Sequence, residues 1–387
     1  MKTFHNLYTE IASFDNLLCA AQNAQKGKRY QKSVATFNLH LEEELLRLRE
    51  ELLSKSYQPG AYRSFMIYDP KERMISAAPY RDRVVHHALM NVTAPVFERT
   101  FIYDSYANRK GKGVHAAILR YQEYARRFPY VLKCDIRKFF PSIDHEILKQ
   151  ELRWKIACPD TLWLIDTIID NSNPQEEYIV YYSGDDLFTP YQRRRGLPIG
   201  NLTSQWWGNI YLNRLDHFIK QELQAPGYIR YVDDFVLFGE TPRQLHDWKS
   251  AISAYLNRLR LSLHPQKSQV YQVEKGVPFL GFKVFKEYRT ARKQKTRRYK
   301  RFLRKQMSMR KEGKLCPNRL EMGLNSWLGH VRFGMSRRLE YCIFWYLRSH
   351  RVNLHKHPSG SWRVLEQQCK QLPRVLPQQE SPYRTKQ

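Results

Sequence analysis

Asp233 and Asp234 stand side by side in the stretch RYVDDFVLFG, residues 230–239. The runs on either side, Tyr228 to Val232 and Phe235 to Phe238, are rich in β-branched and aromatic residues and read as two strands with Asp-Asp at the turn between them. Such a hairpin displays both carboxylates at its tip, either as an ordinary solvated turn or as half of a cation site. A third carboxylate, Asp135 in KCDIRKFFPSID, follows an apolar strand, and strand ends of open sheets are where chemistry gathers. Phosphoryl transfer by two divalent ions needs about three oxygen-rich ligands, with the ions roughly 3.5–4 Å apart. Asp135 and the pair at 233–234 would supply them if the fold brings them together. Between them lies RRRGLPIGNLTSQ. Its Gly196 and Gly200 allow the backbone to approach a ligand, Ser204 and Gln205 add hydrogen-bonding groups, and a plain connecting turn is the alternative reading.

The elements that would position these groups follow from periodicity. LHLEEELLRLREELL sets Leu41, Leu45, Leu48 and Leu52 at helical spacing. RSFMIYDPKERMISA reads as a hairpin about Asp69-Pro70-Lys71-Glu72. The helix DRVVHHALMNVTAPVFE follows, burying Val84, Val85, Ala88, Leu89 and Val92, with His86 and His87 as packed or solvated residues in preference to ligands. Strand YVLKCDI, helix DHEILKQELRWKI and a helix after Gly200 alternate in the middle of the chain, which points to an α+β sheet with helices on one face. From Lys286 the segment KEYRTARKQKTRRYKRFLRKQMSMRKEGK is about half basic, and its interspersed Phe302, Leu303 and Met307 predict a basic helical domain with its own core. The residues from about Ser349 show little periodicity and are expected to form a flexible tail.

Lys and Arg number 65 against 37 Asp and Glu, a net charge of +28 in 387 residues. Such an excess attracts a polyanion, nucleic acid first. No apolar run approaches the ~18 residues of a crossing helix, and MKTFHNLYTE lacks a signal-peptide core, so the expectation is a soluble, cytoplasmic protein without a membrane partner. The six cysteines, Cys19, Cys134, Cys158, Cys316, Cys342 and Cys369, form no Cys-x-x-Cys pair, which argues against a zinc knuckle or a disulfide framework.

In order, CDIRKFF, GLPIGNLTSQ and YVDD resemble the motifs of reverse transcriptases, over roughly Arg63 to Phe282. The resemblance implies a right-hand polymerase fold: an N-terminal helical extension (1–60), fingers and palm (61–285), a basic helical thumb (286–348) and the tail (349–387). It makes Asp135, Asp233 and Asp234 catalytic and assigns metal binding to Asp135, Ile136, Asp233 and Asp234, with two Mg²⁺ ions or Mn²⁺ in their place. It assigns the incoming dNTP to Lys71, Arg73, Phe140, Ile199, Gly200, Gln205 and Lys267, with Phe140 as the ring that blocks a ribose 2′-OH. Nucleic acid falls to Tyr231, Val232, Phe279, Gly281, Arg297, Arg298, Lys300 and Arg301. Within the family, IGNLTSQ, the DRVVHHAL helix and the lack of an appended endonuclease are most similar to reverse transcriptases of diversity-generating retroelements. These copy a template RNA into cDNA with errors at adenines and work with a small basic accessory protein. Retron and abortive-infection enzymes, and a non-catalytic maturase-like RNA binder, are the alternatives. Gly184-Asp185-Asp186 matches the tripeptide of viral RNA polymerases, but it precedes the glycine loop and Pro190 interrupts its return strand, so it reads as a loop.

Overall fold

A computed structural model describes residues 3–68, 72–172, 179–182 and 184–364. These belong to two compact units, one made of residues 1–280 and 284–287, the other of 281–283 and 288–387.

In the first unit, Ser13 caps helix α1 (Phe14–Ala24), its hydroxyl accepting from the Asn16 N–H at 3.3 Å. The leucine stripe becomes α2 (Leu41–Leu53), with Leu45, Leu48 and Leu52 fully buried, each contributing about 2 kcal/mol of burial. Strands β1 (Arg63–Ile67) and β2 (Arg73–Ala77) pair antiparallel, and the centre of their expected turn, Asp69 to Lys71, lies outside the described residues. Helix α3 (Tyr80–Glu98) buries the five apolar residues expected of it. The N-terminal helices are fastened to it: the Asn16 amide donates to the Ala88 carbonyl at 3.0 Å, and the Tyr80 hydroxyl to Ala21 O at 2.9 Å.

Helix α4 (Val114–Arg127) leads into β3 (Tyr130–Asp135), followed by α5 (His145–Arg153), α6 (Leu202–Tyr211) and α7 (Asn213–His217). Then come β4 (Gly227–Tyr231), β5 (Asp234–Gly239), α8 (Pro242–Arg258) and β6 (Gln269–Gln272). The four strands form one antiparallel sheet in the order β4-β5-β3-β6. Alternation divides its side chains. Leu132, Cys134, Tyr228, Phe235 and Leu237 enter the main core, while Asp135, Asp234, Val236 and Phe238 lie on the opposite face. That face also carries a helix, a departure from the one-sided cover expected. α4 sets Tyr121 against Phe238 at 4.8 Å between ring centroids, at the end of the strands away from the carboxylates.

The β4–β5 turn differs from expectation by one residue. Tyr231 pairs with Asp234, so the turn is Val232-Asp233 and Asp234 opens the return strand. The core sets this register, because Phe235 and Leu237 must face inward together.

In the second unit, α9 (Lys293–Lys311), α10 (Pro317–Phe333) and α11 (Arg337–Ser349) enclose a core in which the Tyr299 and Trp327 rings stack at 4.4 Å. Residues just beyond α11, expected to begin a flexible tail, instead form a hairpin of β7 (Leu354–Lys356) and β8 (Trp362–Val364). The Asn325 side chain ties it to α10, donating to Trp362 O at 2.8 Å and accepting from Trp362 N at 2.7 Å. Glu321 Oε1 of the same helix accepts from the Val364 N–H at 2.6 Å, and side chains doing the work of a strand neighbour leave no periodic trace. The remainder of the expected tail, from residue 365, lies outside the described residues.

Candidate active site

Asp135 ends β3, and its main chain is held on both sides: its N–H donates to the Ser268 hydroxyl at 3.3 Å and its carbonyl accepts from the His264 N–H at 2.7 Å. Asp234 is its direct cross-strand partner. Asp233, at the turn, is tied to the same place through its carbonyl, which accepts from the Ile136 N–H at 3.4 Å. The fold therefore gathers the three aspartates named from sequence. Lys267 Nζ lies 2.6 Å from Asp135 Oδ2, and Lys133 Nζ stands 3.9 Å from Asp234. Burial, then the neighbouring Asp234 and Asp135, push the Asp233 carboxyl up to about 6. Burial raises Asp234 as well, against the opposing charge of Lys133. This is a crowd of anions short of positive charge.

Other expected groups surround it. The charge of Arg73, at the start of β2, acts on Asp233. Ile199 presents its carbonyl to the Ser76 N–H of β2 at 3.2 Å. Gly200 has φ +122, and a Cβ there would lie 3.3 Å from the Ile75 side chain, so this turn requires glycine. Phe140 is half-buried in the short helical turn Phe139–Ser142. Across from it, a Cβ on Gly208 of α6 would come within 3.1 Å of the Phe139 ring and 3.3 Å of the Phe140 ring, so the absence of that carbon sets how deep Phe140 sits. Gln205 is exposed on the same helix and Tyr231 half-buried at the turn.

The remaining residues named from sequence lie elsewhere. Lys71 lies outside the described residues. Phe279, expected to meet nucleic acid, is a core residue, 1% exposed and 5.4 Å from the Tyr121 ring, because its short strand alternates inward. Gly281, Arg297, Arg298, Lys300 and Arg301 belong to the second unit, the four cations exposed along α9. The decoy carboxylates are structural: Asp185 pairs with Arg193, and Asp186 caps the turn at Thr189. His86 is buried and sits in no metal cluster among the described residues. Five cysteines are free, and Cys369 is outside the described residues. Sequence reasoning overlooked Asn209, Asp216 and Arg230, which pack behind the turn with no spacing signal to announce them.

Among the described residues no three His, Cys, Asp or Glu side chains form a ready-made metal cage. The donor set nevertheless fits a hard divalent cation: carboxylate oxygens only, mutually repelling, with Asp135 satisfied by a half-exposed lysine that a stronger cation can replace. Among the described residues no helix is long and apolar enough to cross a membrane.

An antiparallel sheet with carboxylates at the meeting of its two central strands, flanked by helices and a basic hairpin, defines the palm and fingers of a right-hand polymerase. The family model for reverse transcriptase (RNA-dependent DNA polymerase) matches residues 68–284. The chain belongs to that family, whose activity is RNA-directed DNA polymerisation. It is 26% identical over 286 residues to Protein YkfC of Escherichia coli (strain K12), spanning 63% of this chain and 72% of that protein. It is 21% identical over 231 residues to the Putative COX1/OXI3 intron 2 protein of Saccharomyces cerevisiae, spanning 58% of this chain but only 26% of that protein. A structure of apo telomerase from Candida tropicalis matches 60% of this chain and 49% of its own, with a TM-score of 0.41 and 11% identity.

Proposed function

We propose that this chain copies an RNA template into cDNA at Asp135, Asp233 and Asp234, and that it serves a diversity-generating retroelement. The observation that carries the catalytic reading is the facing of Asp135 and Asp234 across β3 and β5, with Asp233 at the adjoining turn. Bound Mg²⁺ or Mn²⁺ would supply activation of the primer 3′-hydroxyl and neutralisation of the triphosphate. Asp135, Asp233, Asp234 and the Ile136 main chain would hold those ions. Arg73, with Lys71, grips the phosphates, and Lys267 gives a proton to the departing pyrophosphate. The Phe140 ring excludes a 2′-hydroxyl, with Gly200, Gln205 and Ile199 around the nucleotide and Tyr231 and Val232 against the primer end. In an assay of dNTP incorporation on a primed RNA template, Asp135→Asn and Asp233→Asn are expected to abolish synthesis while RNA binding persists; synthesis at the parental rate by either variant would overturn the assignment.

The retroelement reading rests on the GNLTSQ stretch and on Ile199, which cannot hydrogen-bond near a sugar as a glutamine there could. It carries with it a structured template RNA, a small basic accessory protein and a cytoplasmic place of work. Sequencing cDNA made by the parent and by Ile199→Gln tests it: errors concentrated at template adenines and reduced in the variant support it, and a uniformly accurate parent points to a retron-like role. Co-purification from the native host tests for the two partners.

A further inference from the structure

Arg230 precedes the catalytic turn by two residues and is completely buried. Each of its five N–H donors has an acceptor. Nε donates to Asp216 Oδ1 at 2.7 Å, and Nη2 to Asp216 Oδ2 at 2.6 Å and to Asn209 O at 3.4 Å. Nη1 donates to Asn209 Oδ1 at 3.0 Å and to the carbonyl of Val232 at 3.2 Å. Asp216 is itself fully buried and also accepts the Tyr228 hydroxyl at 2.7 Å. The main chain of Arg230 is gripped from the other side, its N–H by Asp104 O at 3.0 Å and its carbonyl by the Tyr106 N–H at 2.9 Å.

The residue at the end of this chain of bonds is unusual. Val232 has φ +56, a left-handed conformation that β-branched side chains rarely adopt and that persists only where the surroundings hold it. Its carbonyl belongs to the peptide that joins it to Asp233. The Nε and Nη2 edge of the guanidinium satisfies the buried carboxylate; the Nη1 edge, reaching Val232 O, adds a restraint on the turn that neutralising Asp216 does not require.

We infer that Arg230 is a positioning residue: anchored by Asp216 and Asn209, it holds Val232 in its left-handed conformation and so fixes where Asp233 points. This rests on the assignment of Asp233 to the metal centre. A lysine would keep the charge opposite Asp216, yet its compact ammonium cannot span Asp216, Asn209 and Val232 together. Glycine at 232 adopts positive φ without strain, so the turn would need less holding.

The test is a double-mutant cycle of Arg230→Lys and Val232→Gly, reading kcat, the KM for dNTP, and Mn²⁺ binding to the free protein by electron paramagnetic resonance. Arg230→Lys alone is expected to lower kcat and weaken Mn²⁺ binding by about tenfold or more, since displacement of a reacting group by about an ångström has effects of this order, with KM little changed. In the Val232→Gly background the same replacement is expected to cost about threefold or less in both readouts, the signature of two coupled positions. Equal losses in the two backgrounds, or parental kcat and Mn²⁺ binding in Arg230→Lys, would overturn the inference. Asp233→Asn, measured alongside, reports on the metal assignment by itself: parental synthesis and Mn²⁺ binding there would remove that assignment, while coupling in kcat would still report on the turn. Should Arg230→Lys fail to fold by circular dichroism, Asn209→Ala in both backgrounds loosens the same guanidinium edge and is read by the same criteria.

Discussion

Two ion pairs in the first unit share their chemistry and differ in everything else. Arg230 and Asp216 meet through two parallel bonds with neither side chain exposed, whereas Lys267 meets Asp135 through one bond with 43% of the lysine side chain in solvent. The first has every donor matched and no route to water, so exchanging either partner would leave a charge stranded. The second costs little to open, because water waits to receive the lysine. Rigidity is placed behind the turn and exchangeability in front of it, where the proposed cations and phosphates would have a lysine to displace.

Breaking the sealed pair should have the largest effect. Asp216→Ala leaves Arg230 buried without its counter-charge and is expected to lose about 3–5 kcal/mol, seen as a lower denaturation midpoint; a loss below about 1 kcal/mol would show that water reaches the guanidinium. A buried histidine sharpens the contrast, because here the protein removes charge where at Arg230 it pairs it. Burial, aided by His87 and Arg83, drives His86 from 6.5 to about 3. Between those values only the unfolded chain takes up the proton, so stability falls as pH drops below 6.5, by about 2 kcal/mol at pH 5. His86→Gln should flatten that slope in urea titrations at stepped pH, and an unaltered slope would assign it to other groups.

Next comes the exposed basic face of α9. Replacing Arg297, Arg298, Lys300 and Arg301 of α9 by glutamine is expected to weaken RNA binding about equally for unrelated sequences and to reduce the salt slope by nearly one unit per lost phosphate contact. Filter binding at several salt concentrations measures it, and an unchanged slope would move the nucleic acid elsewhere. The smallest effect is expected where the comparison began: Lys267→Ala should change stability by no more than about 0.5 kcal/mol while slowing dNTP incorporation. A melting temperature that falls as far as in Asp216→Ala would make the two pairs equivalent after all.

The sheet, its helices and the meeting of Asp135 with Asp233 and Asp234 were legible because strands and helices repeat, and because a motif order carries information that one Asp-Asp pair does not. Register was read one residue wrong, since nothing in the letters says that a valine will turn left-handed. Phe279 was misplaced because alternation over three residues is too short to show which face is inward. Asn209 and Asp216 were missed for a deeper reason. A buried polar group is recognisable only by its partners, and Asn209 and Asp216 lie 21 and 14 residues away from Arg230 on separate elements. The hairpin beyond α11 hung on Asn325 and Glu321 in the same way.

The anchoring of the turn also has a temporal side. A β-hairpin forms from neighbours in sequence within microseconds, so β4 and β5 can pair early. Their turn, however, is completed by acceptors on α6 and α7, which must dock before Arg230 has anywhere to place its charge. The arrangement ties completion of the turn to a tertiary event: pairing of β4 with β5 does not by itself supply the acceptors on α6 and α7 that hold Arg230, so the finished turn requires the docking of all four elements.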